Sequence, residues 1–342
     1  MDLHIVWFVL WGVLWGVYFM LDGFVLGAGM LHRVLGKSDT DRRVVINSFG
    51  PVWDGNEVWL VTAGGATFAA FPTTYALMFS YLYTPLLILL FALIVRGVSF
   101  EFRGKEDGAL WRGCWDWAIV LSSFLPALLF GVAFGNIFAG LPMDRDGYHG
   151  SLIYLLNPYG IVSGLLFVLL FLVHGALYVG VKSTGDLSRR AEDLAKALWP
   201  PLLLVAVCFL GFSNFATKLY DNYLAAPVLA VVPLAAVAAL AAVRLFLAKQ
   251  RALAAFAASC VTILGVVFTG VIGLFPNLIP SSLDAAFSLT IYNSSSSDYT
   301  LRIMTAVAFI FVPIVIAYKI WVYRLFRERV SAETLAGDHE AY

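Results

Sequence analysis

The stretch Ser48-Phe49-Gly50-Pro51-Val52-Trp53-Asp54-Gly55-Asn56-Glu57-Val58-Trp59-Leu60 puts two carboxylates and two indoles at the head of an apolar run. Pro51 suits the first turn of a helix, because its missing N–H would have no intrahelical partner there. Asp54 and Glu57 are then three residues apart and are neighbours on one helix face. The stretch predicts a helix that begins with acids and continues into apolar sequence.

The composition of the whole chain indicates that this helix enters a membrane. Hydrophobic residues make up 61% of the 342 and charged residues 13%, whereas soluble domains are about half apolar and a quarter charged. The fold class predicted is an all-α polytopic membrane protein. No basic run with interleaved aromatic residues indicates nucleic-acid binding, and the three isolated cysteines have no metal-ligand spacing.

Nine apolar stretches are long enough to span a hydrocarbon core of about 30 Å. They lie near 5–31, 52–71, 74–96, 115–140, 158–181, 196–214, 225–247, 253–275 and 301–325. The first lacks a basic leader segment and a small-residue cleavage site, which favours a transmembrane helix over a signal peptide. Residues 1–326 are predicted to form a single transmembrane domain, and 327–342 a cytoplasmic tail.

The distribution of Lys and Arg predicts the orientation. If the nine stretches alternate in direction, all of these residues except Arg145, Lys218 and Arg302 fall on one side of the membrane. By the positive-inside rule that side is cytoplasmic, so the N-terminus lies outside and the C-terminus in the cytoplasm. Arg96 is counted here as a cytoplasmic charge at the end of the third span.

Three acids are predicted to gather at the cytoplasmic ends of the first two spans. Asp54 and Glu57 open the second span, and Asp22 lies about 25 Å along the first at 1.5 Å per residue. Carboxylates in a membrane are costly and usually functional, so the cluster is a candidate for proton transfer, supported by Trp53, Asn56 and Trp59. The alternative interpretation is a helix N-terminus that favours acids through its dipole, with Asp22 hydrogen-bonded in packing.

Two further residues are given structural interpretations. His174 is predicted to be the one histidine deep in a span, where a hydrogen-bonded packing role is favoured over axial haem ligation. Asp116, between Trp115 and Trp117, is expected to be an exposed acid at a helix start within an interfacial aromatic belt.

Gly23/Gly27 and Gly131/Gly135 have the small-xxx-small spacing that lets helix backbones approach closely.

Several ordered motifs resemble subunit II of cytochrome bd-type quinol oxidases, and together they cover nearly the whole chain. They are Asp22-Gly23-Phe24, the run from Arg42 to Ser48, the run from Trp53 to Leu60, the run from Thr62 to Ala66, Trp115-Asp116-Trp117, the run from Gly131 to Asn136, Leu156-Asn157-Pro158, the run from Phe275 to Ser282, and Ser288-Leu289-Thr290.

The resemblance implies a specific role. The family oxidises quinol and reduces dioxygen to water in the bacterial cytoplasmic membrane, and its subunit I carries the b-type and d-type haems. Subunit II resembles it in fold, with two four-helix bundles plus one extra helix, and has no haem ligands. The position of Asp54 lies on a proton channel in the family and Asp22 matches a nearby acid, while the position of Glu57 is variable.

We therefore expect a subunit that is not catalytic alone, binds no metal, and has haem-bearing subunit I, membrane lipid and quinol as partners. Some members hold a structural quinone in this subunit, but the sequence does not place such a site, and it leaves small accessory subunits open. The competing hypotheses are a proton-coupled secondary transporter, which lacks support because no inverted repeat is visible, and a purely structural membrane scaffold.

Overall fold

The computed structural model describes residues 2–336, and most of them are helical. The helices are α1 (Leu3–Leu21), α2 (Gly23–Leu35), α3 (Asp39–Phe49), α4 (Trp53–Ala70), α5 (Pro72–Tyr81), α6 (Tyr83–Phe102), α7 (Ala109–Ala139), α8 (Leu152–Leu155), α9 (Pro158–Lys182), α10 (Gly185–Ala216), α11 (Asp221–Ala225), α12 (Val231–Ala248), α13 (Ala252–Leu274), α14 (Asp298–Leu325) and α15 (Ala332–Ala336). The strands β1 (Met143–Asp144) with β2 (Gly147–Tyr148), and β3 (Asn277–Ile279) with β4 (Leu289–Thr290), form two short antiparallel pairs. The all-α prediction is confirmed.

Eight helices of the described chain are long and apolar enough to cross a membrane. They are Leu3–Leu35, Tyr83–Lys105, Ala109–Ala139, Pro158–Lys182, Gly185–Ala216, Pro227–Ala248, Ala252–Leu274 and Asp298–Leu325. The predicted second span, α4, is not among them, because Asp54, Asn56 and Glu57 make its first turns polar. The count of nine spans, the two bundles and the orientation of the termini remain predictions.

Two helix boundaries differ from the predicted spans for local reasons. Asp22 separates α1 from α2, yet its N–H still donates to the Tyr18 carbonyl at 2.8 Å, so the two helices continue as one span. Residues 72–102 form α5 and α6 rather than one helix. Pro85 explains this break, because a proline ring clashes with the carbonyl four residues earlier and α5 ends there, at Tyr81.

Closely approaching backbones hold α2 against α9 in the interior. A Cβ on Gly27 would overlap the Phe171 carbonyl oxygen, and one on Gly175 would overlap the backbone of Ala28. Such contacts increase dispersion attraction where the hydrophobic effect between helices is absent. The small-residue spacing around Gly27 therefore reports packing, as the sequence indicated.

The connections at the far end from the acids are tied together. Leu141 donates its N–H to the Pro280 carbonyl at 2.9 Å, and Ser282 donates to the Leu141 carbonyl at 2.9 Å. The serine tract before α14 is also ordered by hydrogen bonds, since the N–H of Ser296 donates to the Ala70 carbonyl at 2.8 Å.

The segment after α14 lies against the body of the protein as far as it is described. The Lys182 ammonium donates to the carbonyls of Phe326 and Glu328 at 2.6 and 2.5 Å, and Val330 N–H donates to the Lys182 carbonyl at 2.7 Å. Leu335 of α15 is buried. Of the predicted tail, 337–342 lies outside the described residues, and the division at 326 stays a prediction.

Candidate functional site

A fully buried arginine joins two of the three predicted acids. Arg96 Nη2 donates to Asp22 Oδ1 and Oδ2 at 3.1 and 2.9 Å, and to Glu57 Oε1. Asp22 and Arg96 have side chains with no exposed surface, while Glu57 is 24% exposed. With both carboxyl groups ionised, the three residues carry two negative charges and one positive charge, so one added proton makes the group neutral.

Each member of this group comes from a different helix. Asp22 stands at the joint of α1 and α2, Glu57 is in the second turn of α4, and Arg96 is in α6. Arg96 is therefore buried inside the protein, in α6, and not in a loop. The side of the membrane on which it lies stays a prediction. Leu89, Leu93 and Phe100 share the buried face of Arg96 in the structure, but the run from Leu86 to Val95 is apolar on every side of α6, so the sequence does not single this face out.

Asn56 fixes the start of α4 against its neighbours. Its Nδ2 donates to the Leu21 carbonyl at 2.9 Å, beside Asp22, and its Oδ1 accepts from the Tyr323 hydroxyl at 3.0 Å. Asn56 has no exposed surface. The side chain predicted to support the acids thus connects α4 to α1 and to α14.

Asp54 differs from the other two acids in its surroundings. It is exposed, whereas Glu57, three residues further along the same helix, is partly buried. Trp53 is half-buried with its ring 5.3 Å from that of Phe100, and Trp59 is buried in the core. The three predicted acids therefore lie near the start of α4, with Asp22 and Glu57 joined through Arg96 and Asp54 exposed.

A second buried charge group surrounds Asp116, contrary to the expectation of an exposed acid. The carboxylate accepts from His32 Nε2 and Arg103 Nε, both at 2.6 Å, and from Arg42 Nη1 at 2.8 Å, and it has no exposed surface. The expectation was wrong because α7 begins at Ala109, which carries Asp116 two turns into the helix. The group joins α2, α3 and α7 to the end of α6.

His32, in the last turn of α2, and His174, inside α9, are both fully buried. His174 itself bonds through both ring nitrogens, Nε2 to the Met20 carbonyl at 2.9 Å and Nδ1 to Ser259 Oγ at 2.6 Å. The Met20 carbonyl can only accept, so Nε2 carries a proton. Neither nitrogen is free to ligate haem iron, which fits a packing role.

The described chain contains an enclosed apolar cavity and a larger pocket of about 650 Å³ of mixed polarity, lined by residues such as Lys218, Asp221 and Asp284. No group of three or more His, Cys, Asp or Glu among residues 2–336 is placed to hold a metal ion. An apolar cavity of about 90 Å³ lies between α1, α7, α9, α10, α12 and α13, lined by aromatic rings such as Trp11, Phe134 and Phe167. The structure does not assign a ligand to it.

The chain matches the family model for cytochrome bd terminal oxidase subunit II over residues 3–326. The chain belongs to this family. It is 39% identical to the cytochrome bd ubiquinol oxidase subunit 2 of Bacillus subtilis over 340 residues, which cover 96% of this chain and 97% of the relative. It is 36% identical to the cytochrome bd-I ubiquinol oxidase subunit 2 of Escherichia coli K12, with 99% and 98% covered.

The fold is similar to that of a chain in the bd oxidase from Geobacillus thermodenitrificans, with a TM-score of 0.79 at 20% identity and coverage of 95% and 99%. The family resemblance seen in the motifs is confirmed. As a bd oxidase subunit II, the chain is a component of an oxidoreductase complex, a quinol oxidase of the bacterial respiratory chain in the cytoplasmic membrane.

Proposed function

We propose that this subunit takes up protons from the cytoplasm for the oxidase and stabilises a haem-bearing partner subunit. The single observation that carries the first role is the bridge from Arg96 to Asp22 and Glu57, which holds two acids close together inside the protein. A buried arginine with one carboxylate would be balanced, and the second carboxylate adds a negative charge that a proton neutralises.

The uptake route begins at Asp54, which is exposed, and continues to Glu57 one turn further along α4. Acids three residues apart on a helix have Cβ atoms about 5–6 Å apart, a distance that one water bridges. Asp22 lies beyond, on the other side of the shared Arg96 nitrogen. Arg96 keeps its own proton, so its role is to hold the two carboxylates and lower their repulsion.

The stabilising role rests on the exposed face of α4. Its exposed positions recur with helical period and include an acid, a hydroxyl and a glycine, the whole set being Asp54, Val58, Val61, Thr62, Gly65 and Phe68. A Cβ on Gly64 or Gly65 would meet nothing within 4 Å. Small residues on a membrane helix admit another helix closely, so we assign the part of this face around Gly64 and Gly65 to the partner subunit and leave Asp54, at the start of α4, open to the cytoplasm.

The uptake role is tested by Asp54→Asn, Glu57→Gln and Asp22→Asn in the purified complex, with haem content measured first. Each variant should keep its haems and lose oxygen consumption with quinol, by about 10²-fold where a positioned proton-transfer group is removed. Asp221→Asn, at the other end of the molecule, is the control and should keep wild-type turnover. Full turnover in Asp54→Asn would contradict uptake at this acid.

The partner role is tested by replacing Gly65 with Leu, which fills the open surface of α4. The haem-bearing subunit should co-purify in lower yield with Gly65→Leu. Gly211→Leu on α10 also fills open surface and should leave the yield unchanged. Equal yields from the two variants would assign the α4 face to lipid.

A further inference from the structure

The pocket of about 650 Å³ lies at the end of the molecule away from Arg96. Phe275, which lines this pocket, has its ring 5.7 Å from that of Phe8, near the start of α1. Asp22 caps the other end of the same helix, about 21 Å from the level of Phe8 at 1.5 Å per residue. The pocket is therefore separate from the buried acids and from the proposed uptake route.

Three helices that are long and apolar enough to cross a membrane end at this pocket. The last residues of α7, α10 and α13, which are Ala139, Ala216 and Leu274, all line it. Phospholipid headgroups begin where the apolar part of a span ends, so the pocket lies at headgroup depth. The C-termini of the three helices also carry partial negative charge, which favours a cation close to them.

Hydrogen bonds hold the walls of the pocket in place. The Asn222 amide donates to the carbonyls of Gly273 and Phe275 at 3.2 and 2.6 Å, which ties α11 to the end of α13. The backbone N–H of Ser281 donates to Ser288 Oγ at 3.0 Å and fixes the loop that forms another wall. Walls that are already ordered lose little freedom when a ligand binds, and the volume falls within the range of about 300–1,000 Å³ of small-molecule sites.

The charged residues that line the pocket are one lysine and two aspartates, Lys218, Asp221 and Asp284. Lys218 and Asp221 are exposed, and their side chains make no hydrogen bond or ion pair within residues 2–336. Asp284 is fixed, because its Oδ1 accepts from the N–H of Ala286 at 2.9 Å, and its Oδ2 stays open to a ligand. A simple anion would meet two carboxylates here and a simple cation would meet the lysine, whereas a ligand that carries both charges matches the pocket.

Exposed apolar side chains also line the pocket. Phe215, in the last turn of α10, is 85% exposed, and Leu283 is 55% exposed. Only 11% of the apolar window of α10 is buried inside the chain. The helix therefore presents a long apolar surface that leads away from the pocket into the membrane, where acyl chains can lie.

We propose that this pocket binds the headgroup of phosphatidylethanolamine, a zwitterionic phospholipid. Lys218 donates to the phosphate, and Asp284 accepts from the primary ammonium, which has three N–H donors. The helix C-termini favour the same ammonium, and the acyl chains lie along α10. The bound lipid thus joins the ends of three helices at a site that neither the uptake route nor the partner surface on α4 includes.

The first test uses the complete wild-type oxidase complex in detergent, after endogenous lipid has been washed out. Phosphatidylethanolamine and phosphatidylcholine with the same acyl chains are added in equal amounts, and bound lipid is counted by native mass spectrometry. Both lipids carry the phosphate, but the choline group has no N–H to donate. The complex should retain phosphatidylethanolamine about tenfold better at one site, the effect of one hydrogen bond to a charged group. Equal retention of the two lipids overturns the assignment.

Single substitutions in the complex, checked for intact haem absorbance, assign the two charges. Lys218→Gln should lower the binding of both lipids about tenfold, while Lys249→Gln, which changes an exposed lysine between α12 and α13, should lower neither. Asp284→Asn should reduce phosphatidylethanolamine to the level of phosphatidylcholine. Asp221→Asn removes the same charge from the same pocket without the proposed contact, and it should reduce binding less. Equal losses in the two aspartate variants, or unchanged binding in Lys218→Gln, would contradict the proposal.

A phosphatidylethanolamine with a photoreactive diazirine in one acyl chain locates the bound lipid. It should crosslink to peptides that contain Phe215 or Leu283, and this crosslinking should fall about tenfold in Lys218→Gln. Inorganic phosphate and glycerophosphoethanolamine, which lacks the acyl chains, should not displace the probe at equal concentration. Displacement by inorganic phosphate would make the pocket a site for free anions. Absence of crosslinks at these peptides would show that the partner subunit covers the pocket, and either result overturns the proposal.

Discussion

Replacing Arg96 by Met should destabilise this protein more than any neutralisation of its acidic partners. Arg96 and Asp22 have no exposed side-chain surface, and the Arg96 guanidinium is the cation bonded to the Asp22 carboxylate. Breaking a buried ion pair by removing one partner costs about 3–5 kcal/mol, because the other charge is left uncompensated. Glu57, at 24% exposure, can turn toward water and adds less.

The size of this loss can be read as a thermal shift of the purified complex. At about 2 °C per kcal/mol, the value for larger domains, 3–5 kcal/mol corresponds to about 6–10 °C. Asp22→Asn should shift the midpoint by less, because Arg96 keeps Glu57 as its partner. The double variant Arg96→Met/Asp22→Asn removes both buried charges and should recover much of the lost stability.

The assay is the midpoint of heat inactivation in detergent at a fixed heating rate, with haem absorbance reporting the intact complex. Arg324→Met, an exposed arginine at the end of α14, is the control and should leave the midpoint unchanged. A wild-type midpoint for Arg96→Met would refute the bridge, as would a double variant no more stable than Arg96→Met alone.

Three further predictions concern other parts of the fold. Asp116→Ala should lower stability by about 3–5 kcal/mol, since it leaves Arg103 and His32 buried without their acceptor; an unchanged inactivation midpoint would contradict the buried group. Gly27→Ala should cost about 1–3 kcal/mol or more through overlap with Phe171, whereas Gly64→Ala should be tolerated, and equal yields of the two proteins would count against the α2–α9 contact. Partial burial alone would raise the pKa of Asp41 in α3, but hydrogen bonds from Arg190 and Ser38 hold it below the ordinary 3.8. An acid whose pKa is lower in the folded than in the unfolded state stabilises the fold above its unfolded-state pKa, and this stabilisation is lost as the pH falls through the folded-state pKa. Hydrogen exchange in α3 should therefore accelerate below about pH 3.8. Asp41→Asn should remove this pH dependence.

The sequence was sufficient to predict an all-α chain and that Asp22 and Glu57 lie at the same end of the molecule. Apolar runs long enough to cross a bilayer leave helices as the main choice, and Asp22 and Glu57 indeed meet. The partners of these acids were not predictable in the same way. Asp22 and Arg96 are 74 residues apart, as are Arg42 and Asp116, and periodicity indicates a buried helix face without saying what it touches.

Asp116 shows the same limit at a helix start. The apolar run near 115 predicts where lipid-facing sequence begins. The helix itself starts earlier, at Ala109, in a polar segment that is stabilised by ion pairs such as the one between Arg112 and Asp39. Lys319 was assigned to the cytoplasmic side from its charge alone. In the structure the Lys319 Nζ lies against the backbone of Gly55. This contact depends on how α14 lies against α4, which no local pattern in either segment specifies.

Proton uptake by the assembled oxidase during an oxygen pulse, followed with a pH-sensitive dye, tests the central claim most directly. The account predicts that Asp54→Asn slows the dye signal by about 10²-fold or more, with haem content and quinol binding retained. Uptake at the wild-type rate in that variant would contradict a proton route through this end of α4.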